Sequence, residues 1–335
     1  MAISFKKRQP YSKERLSEVL KPESVRPIAR RAERRLWSFC RGVLMCGLAF
    51  VILYPFLYMI SMSFRPLDQM ADPSVVWIPK SLTLDNLKRA IGYMDFRTTA
   101  VNTAIITVCS TALQMISASL AGYGMSRFRF KGRGILFALL IATIIMPPQN
   151  IIIPMYRQYQ NFDFFWIGRL LAPLNGGESL TVSLIDTPWS MILPSIFASG
   201  IRSGLVIYIF MQFFKGMPKE LEDAAYVDGC GSLRTFAKII MPNMTPALVT
   251  VFIFLLVWYW TDYFYSSMFN PQTSLSAALN GIGTQIAYDT KTSNPLEIQA
   301  VTQSGCLLFI LPLLIVYLFL QRLFVQSVER SGITG

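Results

Sequence analysis

The 335-residue sequence contains no histidine. That absence removes His-based catalytic triads, His general bases and His zinc ligands together. Charge is also scarce: 15% of residues are charged, where a soluble domain carries about 25%. The composition argues against a simple water-soluble enzyme, and the 53% apolar content excludes a disordered chain. The five cysteines, Cys40, Cys46, Cys109, Cys230 and Cys306, form no C-x-x-C pair and are odd in number. They read as small buried hydrophobes rather than as a disulfide framework or a metal site. No G-x-x-x-x-G-K-[ST] phosphate loop occurs, so the chain has no visible means of binding ATP and is expected to hold no cofactor of its own.

What the sequence does have is long apolar runs, with a mean hydropathy of +0.43. A bilayer core of about 30 Å needs about 20 apolar residues in a helix. Uncharged stretches occupy 42–64, 98–126, 134–156, 239–261 and 298–321, and a further one, 187–214, is interrupted by Arg202 between Gly200 and Gly204. The expected fold is therefore an all-α integral membrane protein with six transmembrane helices. The first run begins only after Trp37 and is long enough to span, so it reads as an anchor rather than a cleaved signal. The interrupted run has two readings. Arg202 faces protein or water at mid-depth, or the helix is kinked with Arg202 near the outer interface.

The net charge of +12 is unevenly spread: residues 1–36 hold eleven Lys/Arg against four Glu. A basic arm beside an apolar span points to an anionic cytoplasmic leaflet rather than to nucleic acid. With the N-terminus inside, the cytoplasmic segments carry 22 Lys/Arg and the outer loops 8, which predicts N-in, C-in topology. The chain then divides into a basic cytoplasmic arm, 1–36; a first transmembrane helix, 37–64; an outer loop, 65–97; a transmembrane body, 98–325, with a cytoplasmic loop at 215–242; and a tail, 326–335. The outer loop 157–188, with Trp166, Asn175, Gly176, Gly177 and Asp186, has room for a short interfacial helix. The basic run 127–133 reads as a positive-inside loop.

The loop 215–242 is the most structured of the polar segments. Pro218 suits a first helical position. Glu220, Glu222 and Asp223 suit the positive end of the helix dipole. Ala224 and Ala225 keep a face small, and Gly229 and Gly231 can stop the helix. Ser232 can cap a second helix, with Pro242 and Pro246 at the re-entry to the membrane. The result is a helix–turn–helix whose small residues suit docking rather than catalysis.

This segment resembles the EAA loop of binding-protein-dependent ABC importer permeases. The family pattern is Glu-Ala-Ala, a spacer, Gly and a later Pro; here Asp223, Ala224, Ala225, Gly229 and Pro242 take those places, with Asp223 standing for the Glu and Glu222 beside it. Asp85-Asn86-Leu87, the run 123–133, Met146-Pro147-Pro148-Gln149 and the run 321–326 are similar to the carbohydrate-type branch, typified by maltose-transporter-like inner-membrane permeases. The resemblance covers 37–335. It implies a type I ABC importer-like permease fold in a bacterial inner membrane and a transport subunit without its own enzymatic site. It implies as partners a second permease, two ATP-binding cassette subunits that carry ATP and Mg, and an extracellular binding protein that delivers a sugar or oligosaccharide. No nucleic acid is implied. Glu222, Asp223, Ala224, Ala225, Asp228 and Gly229 would make the contact with the ATPase. The rival class is an ion-gradient-driven secondary transporter, which calls for inverted repeats, of which none is obvious, and intramembrane ionisable pairs, for which only Arg202 and Asp262 are candidates.

Span five carries Trp258, Tyr259, Trp260, Asp262, Tyr263 and Tyr265 near its outer end. These aromatics read either as an interfacial belt or as stacking faces for sugar rings. Asp262 is the stronger candidate for the substrate path, because a carboxylate inside a membrane is expensive. Trp258, Tyr263, Asn102 and Gln114 join it as path candidates, with Arg202 behind them. Small polar residues in membrane helices also serve as glue between helices.

Overall fold

A computed structural model describes residues 22–75, 77–163, 181–290 and 294–332. Among the described residues helices joined by turns make up the chain, and the strand-like pairing is one isolated antiparallel bridge between Phe162 and Val182. It divides into two units, Met1–Tyr58 and Met59–Gly335. Trp166 and the Asn175-Gly176-Gly177 turn lie outside the described residues.

The first unit is built on helix α1 (Pro22–Phe64), whose stretch Glu33–Phe64 is long and apolar enough to cross a membrane. Side chains 33–57 are exposed. A helix this apolar all round has its natural solvent in hydrocarbon.

The second unit is organised around α3 (Phe96–Arg127). The buried residues of this helix include Thr99, Thr103, Thr107, Ser110, Thr111, Gln114, Ala118 and Gly122. They recur every three or four positions, so the face turned inward is small and hydroxyl-bearing while the larger Val101, Ile105, Val108 and Ile116 point out. This is the inverse of a water-soluble helix and the usual membrane interface, where small residues let backbones approach. At Gly122 a Cβ would sit 2.9 Å from the Phe210 Cβ. That closeness brings α3 onto α7 (Ser203–Gly216); α3 also packs on α6 (Trp189–Ile196) and α10 (Thr245–Thr261).

Two of the predicted spans are bent. The run 134–156 is α4 (Arg133–Ile145) followed by α5 (Gln149–Gln160) at 98°. Pro147 and Pro148 are the cause: proline lacks the N–H, and it drives the preceding Met146 to ψ 123. The run 239–261 likewise starts later than expected. The segment Ser232–Asn243 meets α10 at 82°, with the bend at Met244 between Pro242 and Pro246.

The stretches expected as outer loops are more ordered than loops. Residues 65–97 contain α2 (Asp85–Tyr93), where Asn86 Nδ2 donates to the Arg65 carbonyl at 2.8 Å. After α11 (Phe264–Phe269), residues 270–297 contain α12 (Leu275–Thr290), which buries Leu275, Ile282 and Ile286 against Ala90, Met94, Trp260 and Val301. The last helix (Pro295–Gly332) packs on α2, α10 and α12, and it runs to Gly332, into the segment 326–335 expected as a tail.

Candidate functional site

The helix of the loop 215–242 is α8 (Glu220–Val227), with Glu220, Glu222 and Asp223 in its first turn. It ends on a left-handed Gly229, φ +80. Gly229 N–H donates to the Tyr226 carbonyl at 3.0 Å and Cys230 N–H to the Ala225 carbonyl at 2.9 Å. These two bonds satisfy carbonyls the helix end would otherwise orphan, and they need φ > 0 at the glycine.

α8 has two unlike faces. Glu222 (7% exposed) and Ala225 are buried. Asp223, Ala224, Val227 (87% exposed) and Asp228 look outward, with Leu221, Tyr226 and Leu233 also exposed. The two alanines therefore do not share a face, and neither do the two neighbouring carboxylates. Glu222 turns to Arg127 at the end of α3, with Arg127 Nε 2.7 Å from Glu222 Oε1 and both side chains buried. Arg127 Nη2 also donates to the Met217 carbonyl at 2.9 Å, which ties the start of the loop to the same residue. Tyr123, one turn back, sits in an aromatic floor with Phe214 and Phe236, at centroid distances of 5.3 and 5.0 Å. Burial pushes the Glu222 carboxyl above its ordinary value of 4.5, and the Arg127 charge opposes that rise. Sequence reading placed Arg127 in a plain positive-inside run. Only its position at a helix end, one turn from Tyr123, hinted otherwise.

A second polar centre lies where the interrupted span breaks. Between α6 and α7 the residues 197–202 leave the helix, with Ala198 at φ 53 and Arg202 at φ 51. Pro194 is within α6 and the Ser199 N–H turns back to its carbonyl at 2.9 Å. Backbone groups freed at such a depth need partners from other helices. Gln114 of α3, fully buried, donates to the Ile201 carbonyl at 2.9 Å and to Ser203 Oγ at 3.0 Å. Tyr259 of α10 receives the Ile201 N–H at 3.2 Å, shares a hydrogen bond with Ser195 Oγ at 2.7 Å, and donates a short one to Gln114 Oε1. Ser117 Oγ closes the set on the Ser195 carbonyl at 2.7 Å. Gly200 fits beneath this network because it has no side chain: a Cβ there would lie 2.2 Å from the Tyr259 hydroxyl and 2.6 Å from Gln114 Oε1.

The path candidates separate accordingly. Gln114 is a strut between three helices. Asn102 lies twelve residues earlier on α3, about 18 Å away. Trp258, Asp262 and Tyr263 gather at the end of α10. The Asp262 carboxylate accepts from the Ser266 N–H at 2.8 Å and the Tyr265 N–H at 3.5 Å, in the position of a cap on α11. Tyr263 is exposed and its hydroxyl accepts from Asn280 Nδ2 at 2.7 Å. Trp258 carries the Arg202 guanidinium 4.9 Å from its ring centroid. Sequence reading did not select Ser195, Ser203 or Gly200; their role arises where three helices cross. Among the described residues, no cluster of Cys, Asp and Glu is fit to hold a metal.

The family model described as "Binding-protein-dependent transport system inner membrane component" matches residues 114–330. The arabinooligosaccharides transport system permease protein AraQ of Halalkalibacterium halodurans is 26% identical over 291 residues, covering 86% of this chain and 93% of that protein. The melibiose/raffinose/stachyose import permease protein MelC of Bacillus subtilis is 26% identical over 311 residues, covering 92% and 99%. The diacetylchitobiose uptake system permease protein DasC of Streptomyces coelicolor is 26% identical over 306 residues, covering 90% and 98%. A chain in the crystal structure of a bacterial ABC transporter involved in the import of the acidic polysaccharide alginate superposes with a TM-score of 0.65 at 21% identity, covering 87% of this chain and 97% of that one. That likeness shows the shared fold.

Proposed function

The chain belongs to the family of binding-protein-dependent transport system inner membrane components, and from that premise we propose how it works as the permease subunit of a carbohydrate ABC importer. The subunit has no ATPase site of its own, so energy comes from a partner. The chain crosses the bacterial inner membrane six times, N-in and C-in. Three single helices, α1, α3 and the last helix, make three of these crossings, and the bent pairs at α4–α5 and into α10 make two more. The broken pair α6–α7 makes the sixth. The excess of Lys/Arg in 1–41, 127–133 and 215–238 supports this orientation.

The observation that carries the mechanism is the split of α8 into a buried face, Glu222 and Ala225, and an exposed one, Asp223, Ala224, Val227 and Asp228. The exposed face is the docking surface for an ATP-binding cassette subunit; the buried face is the lever arm. When ATP closes the cassette dimer, α8 moves, and the Arg127–Glu222 pair passes the displacement to α3. α3 packs on α6, α7 and α10, so a shift of one helix reaches the break at 197–202. The solute, handed over by an external binding protein, then meets a path shared with a second permease and opened by alternating access.

Cysteine cross-linking tests this. In membranes holding the complete complex, Asp223→Cys and Val227→Cys are expected to cross-link to the cassette subunit, while Ala225→Cys is not. Cross-linking of Ala225→Cys with neither outer position reacting would reverse the assignment of faces and sink the lever.

A further inference from the structure

The break between α6 and α7 holds a positive charge, Arg202, that makes no close ion pair among the described residues. Arg202 ends the break and opens α7, a fourteen-residue helix, so it stands about 20 Å from the helix's far end at the cytoplasmic loop. Its side chain is exposed and, among the described residues, makes no hydrogen bond or ion pair; it rests on the Trp258 ring. The carboxylate within its electrostatic reach, Asp262, already accepts two backbone N–H groups. Beside it, Ile201 binds Gln114 and Tyr259 through its backbone and Ser203 binds Gln114, whereas Phe197 and Ser199 are exposed. Arg202 is thus the charged side chain of the break, and the Gln114–Tyr259 network does not take it up.

An unpaired guanidinium exposed to hydrocarbon is costly, so Arg202 calls for water or a polar partner opposite it. Broken helices near the membrane midplane are where transporters of several folds place their solutes. The chemistry of the pair is selective. A guanidinium offers a planar fork of donors that matches a carboxylate. An indole ring offers a face to the C–H side of a sugar ring. One cation balances one carboxylate, whereas a phosphate monoester carries nearly two charges. Lys215, at the opposite end of α7, is taken up over Phe137.

We propose that Arg202 and Trp258 form a solute site for a carboxylated carbohydrate, an oligosaccharide containing uronate units. The guanidinium takes the carboxylate, and the indole ring, uncovered as Arg202 lifts, takes the sugar face. The proposal rests on the importer reading above and adds the charge class of its solute.

The test uses the complete complex, with its partner permease, cassette subunits and binding protein, in sealed vesicles. Uptake is measured for short oligogalacturonates and oligomannuronates, for their neutral galactose and mannose counterparts, and for a phosphorylated disaccharide. The wild-type complex is expected to import a carboxylated sugar in an ATP-dependent manner. Arg202→Gln is expected to lower that uptake about tenfold or more, as loss of a charge-assisted hydrogen bond would, and Arg202→Lys to recover part of it. Co-purification of the cassette subunits checks that each variant assembles. Import restricted to neutral or phosphorylated sugars, import of no panel member, or an unchanged rate in Arg202→Gln would overturn the proposal. An equal loss of charged and neutral uptake would reassign Arg202 to a contact with the second permease and overturn it too. Uptake that ignores ATP, or a chain that purifies without a cassette subunit, would instead strike the importer reading beneath it.

Discussion

The two polar centres of this protein solve the same problem with different chemistry. At the C-terminal end of α3, Arg127 and Glu222 meet as full charges. About 20 Å further along α3, Gln114 meets Tyr259, Ser203 and the Ile201 carbonyl as neutral dipoles. Near the water interface the desolvation of an ion pair is tolerable and its attraction survives; deeper in, neutral groups satisfy a broken backbone without that penalty. Burial raises the Glu222 carboxyl and the Arg127 charge opposes that rise, and a buried ion pair is weak evidence for stability. The deep network, by contrast, holds the break in one shape.

That comparison is most sharply broken at Gly200. Gly200→Val forces a side chain onto the Tyr259 hydroxyl and Gln114 Oε1, which lie 2.2 and 2.6 Å from where its Cβ would sit. Overpacking costs about 1–3 kcal/mol, and each buried polar group left unpaired adds about 1–3 kcal/mol. The expected outcome is a large drop in the thermal midpoint of the purified chain; an unchanged midpoint would show that the network yields freely.

The interface pair responds to charge rather than to space. Glu222→Lys sets two cations against each other in a closed site, so α8 is expected to lift away, with sugar uptake down about tenfold or more and membrane insertion intact. The double swap, Arg127→Glu with Glu222→Arg, is expected to restore part of the uptake. Failure of the swap, with Glu222→Lys as active as wild type, would deny the pair its part in coupling.

The smallest effect belongs to Gly229. No atom lies within 4 Å of a Cβ there, so Gly229→Ala meets only the strain of φ +80. Forcing a Cβ into a left-handed conformation costs about 1–2 kcal/mol. Faster hydrogen exchange at Tyr226–Cys230, with modestly reduced uptake, is the expected reading. The space around that Cβ is open, so a loss of uptake in Gly229→Ala larger than this strain explains would locate a partner against the turn.

Much of this was legible in one dimension. The uncharged runs marked the membrane segments, and Asp223-Ala224-Ala225 with Gly229 marked the loop, because left-handed glycine after an acidic helix start is a local signal. Other parts were hidden. Glu222 and Asp223 are adjacent and alike, yet one is buried against Arg127 and the other faces out. Asp262 stood out by its chemistry alone, but its carboxylate is occupied by the N–H groups of α11. Arg202 ranked behind it as a path candidate, yet its side chain is exposed on the Trp258 ring and makes no hydrogen bond or close ion pair among the described residues.

Read alone, the order of amino acids marked the apolar runs of a membrane protein, the interruption at Arg202, and a polar loop that resembles the EAA segment. Those properties depend on hydropathy, on proline and glycine, and on spacing within a few residues. Which polar groups are consumed and which stay available was settled by packing in three dimensions. Gln114 and Tyr259 are 145 residues apart and meet through helix packing. A hydrogen bond between distant residues depends on where the backbones cross, and no local pattern encodes that crossing.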